Sequence, residues 1–110
     1  MSNNKKVIVL ERIGQNKDIV KIRFTEEVKS QMSIVYIVAA INKCFQSGYS
    51  RLIIDMGHID VPHNTFIATL IEATSKVRRK AGDIKIINLS EQAKNVMSGF
   101  NALSYLTVET

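Results

Sequence analysis

Residues 55–65, DMGHIDVPHNT, bring Asp55, His58, Asp60, His63 and Thr65 into one short stretch. Carboxylates and imidazoles together are metal-ligand chemistry, but their spacing fits no helical HxxxH pair or Cys/His template. Both of the chain's histidines are already spent here, so no metal ion is assigned. A hydrolytic triad has no anchor either, because the serines fall in helical or turn patterns and no G-x-S-x-G elbow exists. The glycines at 14, 48, 57, 82 and 99 are isolated, which leaves no loop to cradle a phosphate and no cofactor to expect. An Asp closing a third strand is also the place of a receiver-domain phosphoacceptor. That chemistry needs an acidic pair after the first strand and five strand-helix units, whereas Glu11 and Arg12 follow the first strand and only three helical patterns are visible. No catalytic residue is therefore assigned.

Thr65 remains. A helix beginning near Asn64 would set its hydroxyl among free backbone N–H groups at the positive end of the helix dipole, where an added phosphate is stabilised. A phosphate of about −1.5 to −2 charge there changes the surface potential without unfolding the chain. The other reading is structural: His63, Asn64 or Thr65 caps the helix and Pro62 stiffens the chain leading into it. Both readings need a helix that starts at this point.

The rest of the sequence predicts the elements that would hold this loop. VIVL (7–10) and DIVKIRF (18–24) are β-rich runs joined through Gly14 and Asn16, a hairpin pattern. In the second run Val20, Ile22 and Phe24 alternate with Lys21 and Arg23, so one face is buried. Ile34, Ile37, Val38, Ile41 and Phe45 recur at helical spacing before Gly48. RLIID (51–55) has no alternation and reads as a central strand covered on both sides, with Asp55 closing it. Ile67, Leu70, Ile71, Thr74 and Val77 mark a second helix that stops at Gly82. IKII resumes the strand period, then Ala93, Val96, Met97 and Phe100 mark a third helix with Ser90 at its N-cap, and LSYLTV is the last strand. The order β-β-α-β-α-β-α-β predicts an α/β domain with a mixed, mostly parallel sheet, an N-terminal β-hairpin and three main helices. In such sheets sites lie beyond the carboxyl ends of the parallel strands, where the loop after Asp55 emerges.

Composition narrows the class. At 110 residues and 45% hydrophobic, residues 1–110 form one domain with a core of its own. Cys44, the only cysteine, sits among Ile41, Phe45 and Val38 as a buried thiol, which suits a reducing compartment. The longest apolar run, IVYIVAAI, is far short of the ~20 residues of a membrane span, and no secretory pattern opens the chain. The expected location is the cytoplasm. Fifteen Lys and Arg against ten Asp and Glu give +5, a weak attraction for polyanions.

Residues 51–100, from RLIIDMGHIDVPHNTFIATL through AGDIKI to LSEQAKNVMSGF, resemble the STAS domains of bacterial anti-sigma factor antagonists. The likeness covers nearly the whole chain: the apolar strand ending at Asp55, the loop of fixed length, the following helix, the return into a strand, and a short helix similar to the family's "v...l..sGl" pattern. Members typically carry Asp-Ser-Ser-Gly at the start of the second helix, and a partner kinase that is also the anti-sigma factor phosphorylates the later Ser. Ungapped counting from Asp55 and from Gly82 places His63, Asn64, Thr65 and Phe66 on those positions. Only the Thr65 hydroxyl is kept; His63 stands for the Asp, Asn64 for the first Ser and Phe66 for the Gly.

The resemblance implies a non-catalytic regulatory protein that binds a protein partner, an anti-sigma factor or serine/threonine switch kinase, with Thr65 as the candidate phosphoacceptor. Asp60, His63, Asn64, Thr65 and Phe66 would form the docking surface, with Glu26 on a second loop turned toward the partner. Phe66 is an aromatic anchor if exposed and a first-turn core residue if not. NTFIATL also looks like the D-S-F-I-A segment of STAS proteins that build stress-sensing scaffolds, at a shift of one residue, an alternative without a phosphorylation switch. The further alternative is a basic nucleic-acid-binding module built on KVRRK (76–80) with Lys5 and Lys6. The scarcity of surface aromatics in the pattern disfavours a nucleic-acid partner, and the helix dipole already accounts for cations at a helix C-terminus.

Overall fold

The computed structural model describes residues 8–25, 30–59, 64–99 and 104–109. The elements run β1 (Ile8–Ile13), β2 (Ile19–Phe24), α1 (Ser30–Gln46), β3 (Arg51–Asp55), α2 (Asn64–Arg78), β4 (Asp83–Ile87), α3 (Glu91–Gly99) and β5 (Thr107–Glu109). They form one five-stranded sheet in the order β1-β2-β3-β4-β5. The β1–β2 hairpin is antiparallel and every later neighbour is parallel, as the sequence pattern predicts.

The hairpin closes where Lys17 N–H donates to the Gly14 carbonyl (3.1 Å), with both residues at positive φ. From β2 onward the chain crosses the sheet in one direction. Right-handed crossovers then place every helix on the same face, and the core agrees. Val20, Ile22 and Phe24 of β2, Leu52 and Ile54 of β3, and Ile84 and Ile86 of β4 join Ile37, Leu70 and Met97 of the helices in one buried cluster.

The other sheet face carries none of the described helices. There Lys21 and Lys85 flank Ile53 in register, and ion pairs join Glu11 to Arg23, Asp55 to Lys21 and Glu109 to Lys85 across neighbouring strands. β3 is therefore central, as expected, but the described helices cover one of its faces only. Its unbroken RLIID pattern arises because Ile53 is sheltered between two lysines whose aliphatic stems can cover it.

The ends of α1 and α2 show how the sequence stops a helix. Gly48 adopts φ +88° beyond α1, Tyr49 N–H donates to the Cys44 carbonyl (2.9 Å) and Gly48 N–H to that of Phe45 (3.0 Å). This is a Schellman motif with glycine in the left-handed position. α2 repeats it through Gly82 N–H to Val77 O and Ala81 N–H to Arg78 O (both 3.0 Å), but the left-handed residue is Ala81, at φ +62°. Gly82 is needed one position later for contact with Ser50, so the expected stop glycine serves close approach and an alanine takes the disfavoured backbone. Ser90 caps α3 as predicted, its Oγ accepting from Ala93 N–H (3.0 Å).

Candidate functional site

The site is built at the carboxyl end of β3. Asp55 leaves the strand with its Oδ1 accepting from Gly57 N–H (2.9 Å) and from Asn88 Nδ2 (3.0 Å). The first bond is an Asx turn; the second ties the exit of β3 to that of β4, where Asn88 sits at φ +60°. Met56 N–H adds a bond to the Ile87 carbonyl (3.0 Å), and Ile59 N–H closes a turn onto Met56 O (3.0 Å). Met56 and Ile59 are buried, while Gly57 and His58 between them are exposed. The loop is thus pinned at both sides of a small exposed tip. Asp55 is spent as a structural acceptor, and no group of three His, Cys, Asp or Glu converges among the described residues.

α2 begins at Asn64, so Thr65 lies in its first turn. Asn64, Thr65 and Ala68 are exposed, whereas Phe66, Ile67 and Leu70 are buried. The first turn holds no acidic residue, so no described carboxylate there offsets the positive end of the helix dipole. The Thr65 carbonyl accepts from Thr69 Oγ1 (2.8 Å), which fastens that turn on its exposed side.

Phe66 is 0% exposed and corrects the docking-anchor reading. The apolar stripe of α2 runs Phe66, Ile67, Leu70, Thr74 and Val77, so the ring falls on the core side, where burial contributes roughly 1.5–3 kcal/mol. The exposed apolar surface is instead on the neighbouring helix. Val35 and Val38 of α1 are 64% and 38% exposed, which also moves Val38 off the core positions that its spacing suggests. α1 and α2 both return antiparallel to the parallel strands and therefore run alongside each other in the same sense. A groove of about 190 Å³ between them is lined by Val38, Asn42 and Phe45 from one side and Thr69, Ala73 and Lys76 from the other. Val35 stands one turn before Val38, at the Thr65 end of the seam. Sequence reading passed over Val35; the signal available was that apolar residues at 34, 35, 37, 38 and 41 cover more of a helix than one buried stripe needs.

The sequence matches no known family model, and no curated protein matches it. The structure does find neighbours. A Thermotoga maritima protein described as a candidate anti-sigma factor antagonist, TM1081, aligns over 94% of this chain and 86% of its own, with TM-score 0.79 at 10% identity. The anti-sigma factor antagonist SpoIIAA in its unphosphorylated form aligns over 94% and 87%, with TM-score 0.68 at 16% identity. The phosphorylated form of SpoIIAA, a Bacillus cell fate determinant, aligns over 94% and 91%, with TM-score 0.67 at 17% identity. The chain has the fold of the anti-sigma factor antagonists.

Of the residues expected to dock a partner on this antagonist fold, Asn64 and Thr65 stand together on the exposed first turn of α2, and Phe66 is withdrawn into the core. Glu26, Asp60 and His63 lie outside the described residues, as do Lys5, Lys6 and Phe100. Cys44 is buried, and burial raises its thiol pKa above the ordinary value, in keeping with the unreactive role expected of it. No described helix is long and apolar enough to cross a membrane.

Proposed function

We propose that this protein is a non-catalytic regulator that binds an anti-sigma factor or a serine/threonine switch kinase, and that phosphorylation of Thr65 releases the partner. The observation that carries the reading is the exposed Thr65 in the first turn of α2, beyond the central strand of an antagonist fold. Because SpoIIAA exists in phosphorylated and unphosphorylated forms, the fold is compatible with phosphate-controlled states. In this chain the docking surface would join Asn64 and Thr65 to Val35 and Val38, with Glu26, Asp60 and His63 as further contact residues. Phosphate on Thr65 would be held by the free N–H groups of the helix start while placing charge on a surface that the partner must desolvate.

The test is incubation with an anti-sigma switch kinase of the same organism and ATP, followed by mass spectrometry and a binding titration. Phosphate on Thr65 together with a weakened complex is expected. Efficient phosphorylation at another residue would overturn the assignment of Thr65. Tight binding with no modification would favour the scaffold alternative.

A further inference from the structure

Among the described residues, the positive charge that no carboxylate offsets is gathered at one end of the fold. Every described Asp and Glu lies within an ion pair. Among the described residues this leaves Arg12, Lys17, Lys43, Arg79 and Lys80 with no carboxylate partner. All of them sit at the pole where the parallel strands begin, opposite Thr65. Arg12 and Lys17 come from the β1–β2 hairpin, with Arg12 Nε donating to the Lys17 carbonyl (3.3 Å). Lys43 is in the last turn of α1, and Arg79 and Lys80 follow α2 directly. Helix dipoles account for cations at the ends of α1 and α2. They do not account for Arg12 and Lys17, which a separate element delivers to the same pole.

Aromatic rings are interleaved with these cations. The Arg12 guanidinium lies 5.5 Å from the Tyr49 ring centroid, and Lys80 Nζ lies 5.6 Å from that of Phe45. Arg12, Lys43 and Tyr49 line one shallow hollow of about 200 Å³. Tyr105, 56% exposed, stands beside the end of α2, its carbonyl accepting from Arg78 Nη1 (2.8 Å). The sequence pattern hides this arrangement, because Phe45 falls on the apolar stripe of α1 but, like Tyr49, is only partly buried.

We propose that this pole binds single-stranded nucleic acid, most simply RNA, with the unpaired cations on successive phosphates and Tyr105 as a stacking platform. Three features select that ligand. A duplex groove reader would present its cations on one inserted element, whereas here they come from a hairpin and two helix ends. A membrane-binding surface would add exposed aliphatic side chains; the described ones, Val35 and Val38, are on α1 away from this pole. An acidic protein segment would satisfy the cations but has no use for the exposed Tyr105 ring, whereas a base stacks on it. The surface is separate from the Thr65 end, so the proposal stands or falls independently of the partner-switch reading.

The experiment is fluorescence anisotropy of a labelled oligouridine with the full chain, between about 50 and about 200 mM salt. Five phosphate contacts predict a slope of log K against log salt of about −3.5, an affinity loss on the order of 100-fold across that range. The variant Lys43→Ser/Arg79→Ser/Lys80→Ser, which removes no ion pair, should flatten the slope to roughly −1.4. Tyr105→Ala should weaken binding on the order of 10-fold with the slope unchanged. Lys94→Ser, away from the pole, should behave as the unaltered protein. Absence of binding at low salt, or equal binding by the triple variant, overturns the proposal. So does a preference for poly-glutamate, or for phosphatidylserine-containing phosphatidylcholine vesicles, over the oligouridine, which would assign the pole to another polyanion.

Discussion

Gly82 lies against the backbone of Ser50 so closely that a Cβ added to it would stand 1.9 Å from the Ser50 carbonyl oxygen. That same oxygen accepts the Asp83 N–H bond (3.0 Å) joining the start of β3 to the start of β4. The contact brings the end of α2 down onto the sheet and fixes the helix that presents Thr65 at its other end.

Gly82→Ala should therefore lower stability by about 3 kcal/mol, since backbone rather than a flexible side chain must yield. Ala81→Gly should do the reverse, because Ala81 already holds φ +62°; relief of that conformation is worth about 1 kcal/mol. Denaturant midpoints at unchanged slope measure both, and opposite signs at adjacent residues are the expected result. Stabilisation by Gly82→Ala would mean that the approach to Ser50 is not a packing constraint.

Phe66 and Val35 divide stability from recognition. Phe66→Ala empties a fully buried position and should cost about 3–5 kcal/mol. Val35→Ser changes an exposed side chain and should alter stability by no more than about 0.5 kcal/mol, while weakening the partner complex. Thermal melts and a binding titration on the same two proteins check the division. A Val35→Ser protein with unchanged affinity would remove α1 from the docking surface.

Most of the architecture could be read from apolar periodicity, because a half-buried strand and an amphipathic helix each write their period into the chain. Val20, Ile22 and Phe24 declare the inner face of β2, and Leu70, Thr74 and Val77 the inner stripe of α2. The failures share a cause. Phe66, Val38 and Ile53 belong to apolar clusters wider than one buried stripe, and periodicity does not say which member the third dimension leaves out. Phe66 goes inward because the stripe of α2 continues through it, Val38 lines the open groove between α1 and α2, and Ile53 goes to a face that no described helix covers. The charged pole was illegible for a different reason: ion pairing joins residues distant in sequence, such as Arg51 and Asp18, so which cations stay unpaired is decided only by the fold.

Acid should act through Asp83. Partial burial alone would raise its pKa, but hydrogen bonds from Thr107, Arg78 and the Ile84 N–H outweigh it and hold the carboxyl below its ordinary value of 3.8. A depressed folded-state pKa gives stability that is fully present above the unfolded value and is lost as pH falls through the folded one. The stability curve should thus hold near neutrality and fall away below about pH 4. Thr107→Val removes one of the bonds and should shrink the acid-sensitive part of the curve, leaving a smaller difference between neutral and acidic stability. Urea midpoints over that pH range read the difference directly, and an unchanged acid limb in Thr107→Val would show that the hydroxyl does not hold the carboxylate.

Thr65 gives the prediction that bears most on function. Its exposure means that neither Thr65→Ala nor Thr65→Glu removes core packing, so each should change stability by no more than about 1 kcal/mol. Glu at this position should even gain slightly from the helix dipole. Partner binding should separate the two. Thr65→Ala keeps the complex and cannot be released by kinase and ATP, whereas Thr65→Glu weakens it by at least tenfold, about 1.4 kcal/mol, because a carboxylate must be desolvated on the docking face. Calorimetry with the partner, on proteins first shown by melting to be equally folded, measures this. Equal affinity for Thr65→Glu and the unaltered protein would show that charge at the start of α2 does not control release, and the role of the helix start would then be contact alone.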